Sequence, residues 1–419
     1  MPHRKSGSHT KGGAAKHEVK KKVTGIIQLT RKATGYVSWP EHEDIEIDTE
    51  HLGGALNGDE VEVEVRGMRL QRGKSKLKSP MRPHGAVIKV ISRARNEFVG
   101  TLKQKDGQWL ALPADGKFYR PIRLQPSSAK SFAEVKEGMK VLVRLISFTG
   151  ADLPAGAGDP LGEITEIIGT AGEHRTEMNA IVLEHGFATE FPPEVAHEAK
   201  EIERNHARII AGEVAHRADY RGVTTFTIDP LDAKDFDDAL SVRALPNGEY
   251  EVGVHIADAS FFVREGGELD REAQKRGTSV YLVDATIPML PHELSGNVCS
   301  LREGEDRLAF SAVFRLNARA EILEKKFERS IIRSDKRFTY EEAQKILDAG
   351  AGPFIKELLI LRDLARIMRK AREEEGAIDF GDNEVRFTLD EKGTPVAITR
   401  KTRIETNLLI EEWMLLANR

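Results

Sequence analysis

Five carboxylates fall within the ten residues from Asp229 to Asp238 of the stretch Thr227-Ile-Asp-Pro-Leu-Asp-Ala-Lys-Asp-Phe-Asp-Asp-Ala-Leu240: Asp229, Asp232, Asp235, Asp237 and Asp238. Lys234 is the only local counter-charge. Two unit charges about 4 Å apart repel by roughly 4 kcal/mol at an effective dielectric near 20, so gathering several of them requires compensation. A bound divalent cation is the simplest remedy, and oxygen-only ligands suit a hard ion such as Mg2+ or Mn2+. Asp-rich loops are more often solvated turns, but Phe236, Ala239 and Leu240 are interleaved with these acids and pull them inward. An EF-hand fails on spacing, because no acid here is followed by Gly at the sixth loop position and Glu at the twelfth. A catalytic metal site is the better reading.

Rigid elements must hold such a cluster. Val223-Thr-Thr-Phe-Thr-Ile228 reads as a short β-branched strand and Ala239-Leu-Ser-Val-Arg243 as another, which places the acids on a tight connection between buried strands. Strands such as Tyr250–Ile256 and helices such as Phe354–Arg366 follow, so this part of the chain reads as α+β.

The run T-I-D-P-L-D-A-K-D-F-D-D-A-L resembles the central motif of the ribonuclease II and ribonuclease R family of exoribonucleases. Further pieces agree in the same order: Val254-His-Ile-Ala-Asp258, Arg276-Gly-Thr-Ser-Val-Tyr281, Ile287-Pro-Met-Leu-Pro291 with Asn297-Val-Cys-Ser-Leu301, Arg337-Phe-Thr-Tyr-Glu341, Gly376-Ala-Ile-Asp-Phe380 and Leu409-Ile-Glu-Glu-Trp-Met-Leu-Leu-Ala-Asn418. The resemblance runs from about Arg221 to the end, with a looser version reaching back to about Val23. It implies a hydrolytic, Mg2+-dependent (Mn2+ possible) 3′-to-5′ exoribonuclease that degrades single-stranded RNA to nucleoside 5′-monophosphates. Position by position it makes Asp229, Asp235, Asp237 and Asp238 the active-site aspartates. Asp229, Asp235 and Asp238 would hold metal, and Asp237 would orient the attacking water or a second metal. It makes Tyr281 a stacking platform for the terminal nucleotide and Phe380 its opposite wall, and it puts Glu411 near the reacting end. Asp232 has no counterpart and reads as solvated. His255 follows a buried strand and reads as a satisfied core histidine.

Upstream, residues 1–22 are rich in Gly, Ser, His, Lys and Arg and read as a disordered basic tail. Residues 23–80 and 84–169 read as two small β-barrels of the OB or cold-shock type, joined by a basic, Pro-containing linker from Arg69 to Pro83. Tyr36 and Trp39, both assigned to the face opposite Val37, are the candidate RNA-stacking aromatics. Residues 170–220 read as a helical connector, and 221–419 as the catalytic domain, named RNB in the family. The helical pattern Thr406–Arg419 stops with no cap, no Gly and no following strand to cover its apolar face, so the chain reads as a C-terminally truncated fragment. The family's later segments, an arginine-bearing stretch and an S1 barrel, would then be missing.

At 419 residues the chain exceeds one ordinary core. No stretch of eighteen apolar residues crosses it and no secretory leader opens it. A lone cysteine, Cys299, excludes an intrachain disulfide and points to a reducing cytoplasm. The net charge of −4 requires that basic residues be concentrated along any RNA path. A monomer is expected. Two rivals stand beside the exoribonuclease: a non-catalytic RNA-binding fragment, and a metal-dependent phosphatase, which would need no stacking platform.

Overall fold

A computed structural model describes residues 21–70, 81–125, 135–147, 160–378, 385–390, 395–400 and 402–419. The chain divides into two compact units, Met1–Ala188 and Thr189–Arg419.

In the first unit, β1 (Lys22–Leu29), β2 (Gly35–Val37), β3 (Ile45–Ile47), β4 (Glu60–Leu70) and β5 (Met81–Ser92) close into a barrel in the order β1-β2-β3-β5-β4. The period-2 pattern of β4 explains how: Val61 and Val63 are fully buried, while Glu60, Glu62 and Glu64 alternate with them and stay at least partly exposed. The buried Asp59 carboxylate ties the barrel's corner together, accepting from Leu56 N at 2.8 Å, Ala94 N at 3.1 Å and Arg93 Nη1 at 2.5 Å.

Two sequence expectations are corrected here. Residues 85–90 do not begin the second barrel: β5 pairs with β3 and β4 and closes the first one, because only four strands precede the linker and closure needs a fifth. Trp39 does not share Tyr36's face. β2 stops at Val37, and Trp39 packs against the barrel core beside Val37, whereas Tyr36 is partly exposed with the Arg82 guanidinium 5.4 Å from its ring.

The second barrel comprises β6 (Glu97–Lys105), β7 (Gln108–Pro113), β8 (Ile122–Leu124), β9 (Met139–Ser147) and β10 (Leu161–Thr170), closed in the order β10-β8-β7-β6-β9. The three-residue β8 is too short to show a period in sequence. Helix α1 (His174–Glu184) packs Ala180 onto this barrel's Val99 and Leu142.

The second unit opens with helix α2 (Pro193–Glu213), started by a proline that has no intrahelical donor to lose. Its centre is a seven-stranded mixed sheet built from β11 (Ala218–Asp219), β12 (Thr225–Asp229), β13 (Asp238–Ala244), β14 (Tyr250–Ala257), β17 (Asp306–Leu316), β18 (Ile322–Arg333) and β19 (Lys336–Thr339), in the order β11-β18-β17-β14-β13-β12-β19. The edge pairs β11–β18 and β12–β19 are parallel and the rest antiparallel. Between β14 and β17 lie α3 (Ala259–Phe262), α4 (Glu268–Arg276), the short ribbon β15 (Val280–Tyr281) and β16 (Thr286–Ile287), and a π-helical turn, Glu293–Val298. Three helices follow the sheet: α5 (Tyr340–Ala349), α6 (Ile355–Glu374) and α7 (Glu405–Ala417), with the ribbon β20 (Val385–Leu389) and β21 (Pro395–Arg400) between the last two.

The largest core joins Phe226, Leu240, Val254 and Phe314 of the sheet to Leu358 and Leu361 of α6 and Leu409 and Trp413 of α7. The apolar face of α7 is therefore covered, contrary to the sequence expectation. Trp413 is fully buried and donates from Nε1 to Leu361 O at 3.2 Å. Across the sheet runs a buried polar ladder in which His255 meets Ser311 Oγ at 2.6 Å through Nδ1 and Ser241 Oγ at 2.8 Å through Nε2. Burial lowers the His255 pKa to about 3, which fits a neutral, satisfied core histidine.

Candidate active site

Asp229 ends β12 and Asp238 opens β13, and these are neighbouring antiparallel strands. The sheet itself therefore brings the two acids together, with residues 230–237 as the connection between them. That connection is pinned from several elements. Phe236 donates its N–H to Ser300 Oγ at 3.0 Å, and its carbonyl accepts from Leu301 N at 2.8 Å. The Asp237 carbonyl accepts from Ala257 N at 2.9 Å, at the end of β14. Arg337, on β19 and in register with Thr227, donates from Nη2 to Pro230 O at 2.7 Å and Leu231 O at 3.2 Å.

The electrostatics follow from this packing. Asp229 is buried, and its Oδ2 has no hydrogen-bond partner; nor does Thr227 Oγ1, two residues back on the same strand. The Thr227 hydroxyl favours the ionised carboxylate but does not complete a hydrogen bond. Burial first, then the charge of Asp238, pushes the Asp229 pKa up to about 7, with Arg337 opposing. Burial and the neighbouring Asp237 raise Asp238 to about 6. Burial, and then the charge of Asp235, raises Asp237 as well, although it is the most solvent-exposed of the three. A carboxylate only half ionised near neutral pH, with an oxygen left unsatisfied and a second raised carboxylate beside it, is what a cation would relieve.

Geometry sets one restriction. Among the described residues, the trio of ligand atoms lying within 4.8 Å of one another is Asp48, Glu50 and His51, on an exposed turn of the first barrel, where Asp48 is already paired with Arg69 at 2.6 Å. No three of the four aspartates reach that mutual distance, so they do not form a single closed cage. A Mg2+ ion keeps several waters and takes one or two carboxylates together with substrate phosphates, so three carboxylates need not meet at one ion.

Tyr281 is 68 % exposed, which excludes a buried strand tyrosine. Burial of its hydroxyl, and then the charges of Asp235 and Asp237, raise its pKa, so the phenol stands within the field of the cluster. Asp232 is exposed and lies 3.7 Å from Arg386. Glu411 is exposed on α7 and paired with Arg403 rather than turned to an aspartate. Phe380 lies outside the described residues. Tyr36 and Trp39 belong to the first unit, where the Trp39 and His42 rings meet tilted at 44°, 4.1 Å between centroids, and Lys21 Nζ lies 4.6 Å from the Trp39 ring centroid.

Two residues at the cluster were missed in sequence. Tyr340 is pushed up to about 12 by burial and then by the charges of Asp238 and Asp229, so its hydroxyl lies within the field of both strand-end acids, with Asn407 beside it. Arg337 is the second. Both sit in Arg337-Phe-Thr-Tyr-Glu341, where the Thr339–Glu342 capping box marks the start of α5 and could have located Tyr340 at the strand–helix junction.

Residues 217–419 match the RNB domain and residues 112–192 a cold shock domain. The chain is 35 % identical over 405 residues to ribonuclease R of Thermotoga maritima, covering 94 % of this chain and 54 % of that protein. It is 36 % identical over 390 residues to the mouse exosome complex exonuclease RRP44, covering 91 % and 39 %. The chain thus spans about half the length of the curated relatives it matches. Its fold is shared with Mycoplasma genitalium RNase R, solved in complex with ribose-methylated single-stranded RNA, at TM-score 0.79 and 23 % identity, over 94 % of this chain and 60 % of that one. It is also shared with yeast Ssd1, described as a pseudonuclease, at TM-score 0.63 and 19 % identity, over 94 % and 53 %.

Proposed function

The chain belongs to the ribonuclease II and ribonuclease R family, and on that premise we propose that it is a metal-dependent hydrolase of single-stranded RNA, acting from the 3′ end and releasing nucleoside 5′-monophosphates. The observation that carries this reading is the convergence of Asp229 and Asp238 at the mouth of a pinned connection, with Asp229 Oδ2 buried and unsatisfied. Asp229, Asp235 and Asp238 would hold Mg2+, or Mn2+ in its place, one or two carboxylates to an ion with water and phosphate completing the shell. When bound, such ions neutralise phosphate charge and make water a competent nucleophile. Asp237, open to solvent, would accept a hydrogen bond from the attacking water and orient it. Tyr281 offers an exposed ring beside the acids. Stacking is worth about 1–3 kcal/mol per base and tolerates every base, which suits stepwise digestion. Phe380 is assigned the opposite wall, and Glu411 contacts near the terminal nucleotides. Tyr36 with Arg82, and Trp39 with Lys21, offer ring-and-cation pairs to RNA further along.

The protein works as a monomer in the reducing cytoplasm. Its one cysteine is buried, and burial raises the thiol pKa to about 12, which makes it inert. Among the described residues no helix is long and apolar enough to cross a membrane.

The fold shared with a pseudonuclease keeps the non-catalytic RNA-binding reading open to test. A 5′-end-labelled single-stranded RNA incubated with the chain and Mg2+ should shorten progressively and release 5′-monophosphates, and EDTA should stop it. Internal cuts, or retention of intact RNA with no product, would overturn the proposal.

A further inference from the structure

We infer that Arg337 is a positioning residue that holds the connection between Asp229 and Asp235 in the curvature bringing the carboxylates together. The inference rests on the reading of the cluster as a cation-binding site. The guanidinium is one planar fork that touches both ends of the connection. Nη2 donates to Pro230 O and Leu231 O at its start, at 2.7 and 3.2 Å, and the guanidinium carbon lies 5.3 Å from the ring centroid of Phe236 near its end. The base of the side chain is itself anchored. Arg337 pairs in register with Thr227 of β12, and its N–H donates to Glu303 Oε2 at 2.9 Å. Nε is buried without a hydrogen-bond partner, and the side-chain hydrogen bonds of the fork go to the loop's carbonyls through Nη2. The Arg337 charge favours the ionised form of Asp229 from a distance, while its hydrogen bonds go to the loop backbone.

Two roles are thus separable by sign. If Arg337 were only a counter-charge, removing it would leave the cluster more negative and tighten its hold on a cation. If it positions the loop, removing it lets the carboxylates drift apart and weakens that hold. Lysine keeps the charge but not the fork, so it should fail as a positioner.

The test is a Mn2+ titration, read by electron paramagnetic resonance, of the whole 419-residue chain and of Arg337→Lys and Arg337→Met. Amide exchange over Ala233 to Phe236 is followed alongside, and metal-free melting reports whether each variant is folded. The expected result is weaker Mn2+ binding by about tenfold in both variants, the range found when supporting groups around a metal site are lost, with faster exchange in the connection. Equal or tighter Mn2+ binding in Arg337→Met, with unchanged exchange, would overturn the inference. Should Arg337→Met fail to fold, Arg337→Lys decides by the same criteria. A parent chain that takes up no Mn2+ would instead sink the cation-site reading, and the exchange rates would still decide whether Arg337 holds the loop.

Discussion

Asp229 and Asp238 are held in a state that folding alone does not favour. Their folded pKa values, about 7 and about 6, lie above the value of about 3.9 expected for an unfolded aspartate. The sign of the consequence follows. Below pH of about 4 both groups are neutral in both states and contribute nothing. As pH rises the unfolded chain ionises first, so stability falls through the window from about 4 to about 7 and stays low above it. A bound cation offsets that loss, so the rise in melting midpoint on adding Mg2+ should be small at pH 5 and larger at pH 8. Differential scanning with and without metal at the two pH values checks this, and equal increments would count against the cluster as the binding site. Tyr281 carries a separate prediction. Tyr281→Ala should lose roughly 1–3 kcal/mol of local stacking and leave a longer limit product, while long RNA still binds almost as before. An unchanged product ladder would relieve the tyrosine of that role.

At the scale of elements, β12, its connection and β13 were legible in sequence because β-branched strands bracket alternating acids and apolar residues. What the sequence hid is equally specific. β19 reaches the site by parallel pairing with β12 more than a hundred residues downstream, and a long-range parallel pair leaves no local period. Arg337 and Tyr340 were therefore seen as parts of a motif and not as parts of the site. β5 was assigned to the wrong barrel because the linker before it looked like a boundary, and Trp39 to the wrong face although strand alternation puts it two residues on from Val37, on the same side. The sheet behind the site also depends on a small residue. A Cβ at Gly253 would lie 2.5 Å from Ser241 Oγ and 2.6 Å from His255 Nε2. Gly253→Ala should thus wedge open the buried His255 ladder and destabilise the second unit by about 1–3 kcal/mol, as overpacking does. Urea unfolding measures this, and an unchanged midpoint would mean that the ladder yields freely.

The molecule as a whole pairs a unit of two closed barrels with a unit whose seven-stranded sheet carries an acidic, pinned connection. Its formal charge is −4, so the proposed RNA affinity has to come from local groupings of cations and rings and should depend on salt. Binding and cleavage therefore need to be compared at one fixed ionic strength. The direct measurement is a matched assay of the parent and Asp238→Asn on one end-labelled single-stranded RNA, with Mg2+, recording both retention and product. The substitution removes a single charge at the strand-end acid while leaving the barrels and Tyr281 untouched. Asp238→Asn should bind the RNA as the parent does, within about twofold, and release no mononucleotide above background. Sustained 3′-to-5′ digestion by the variant would contradict the proposed role of Asp238.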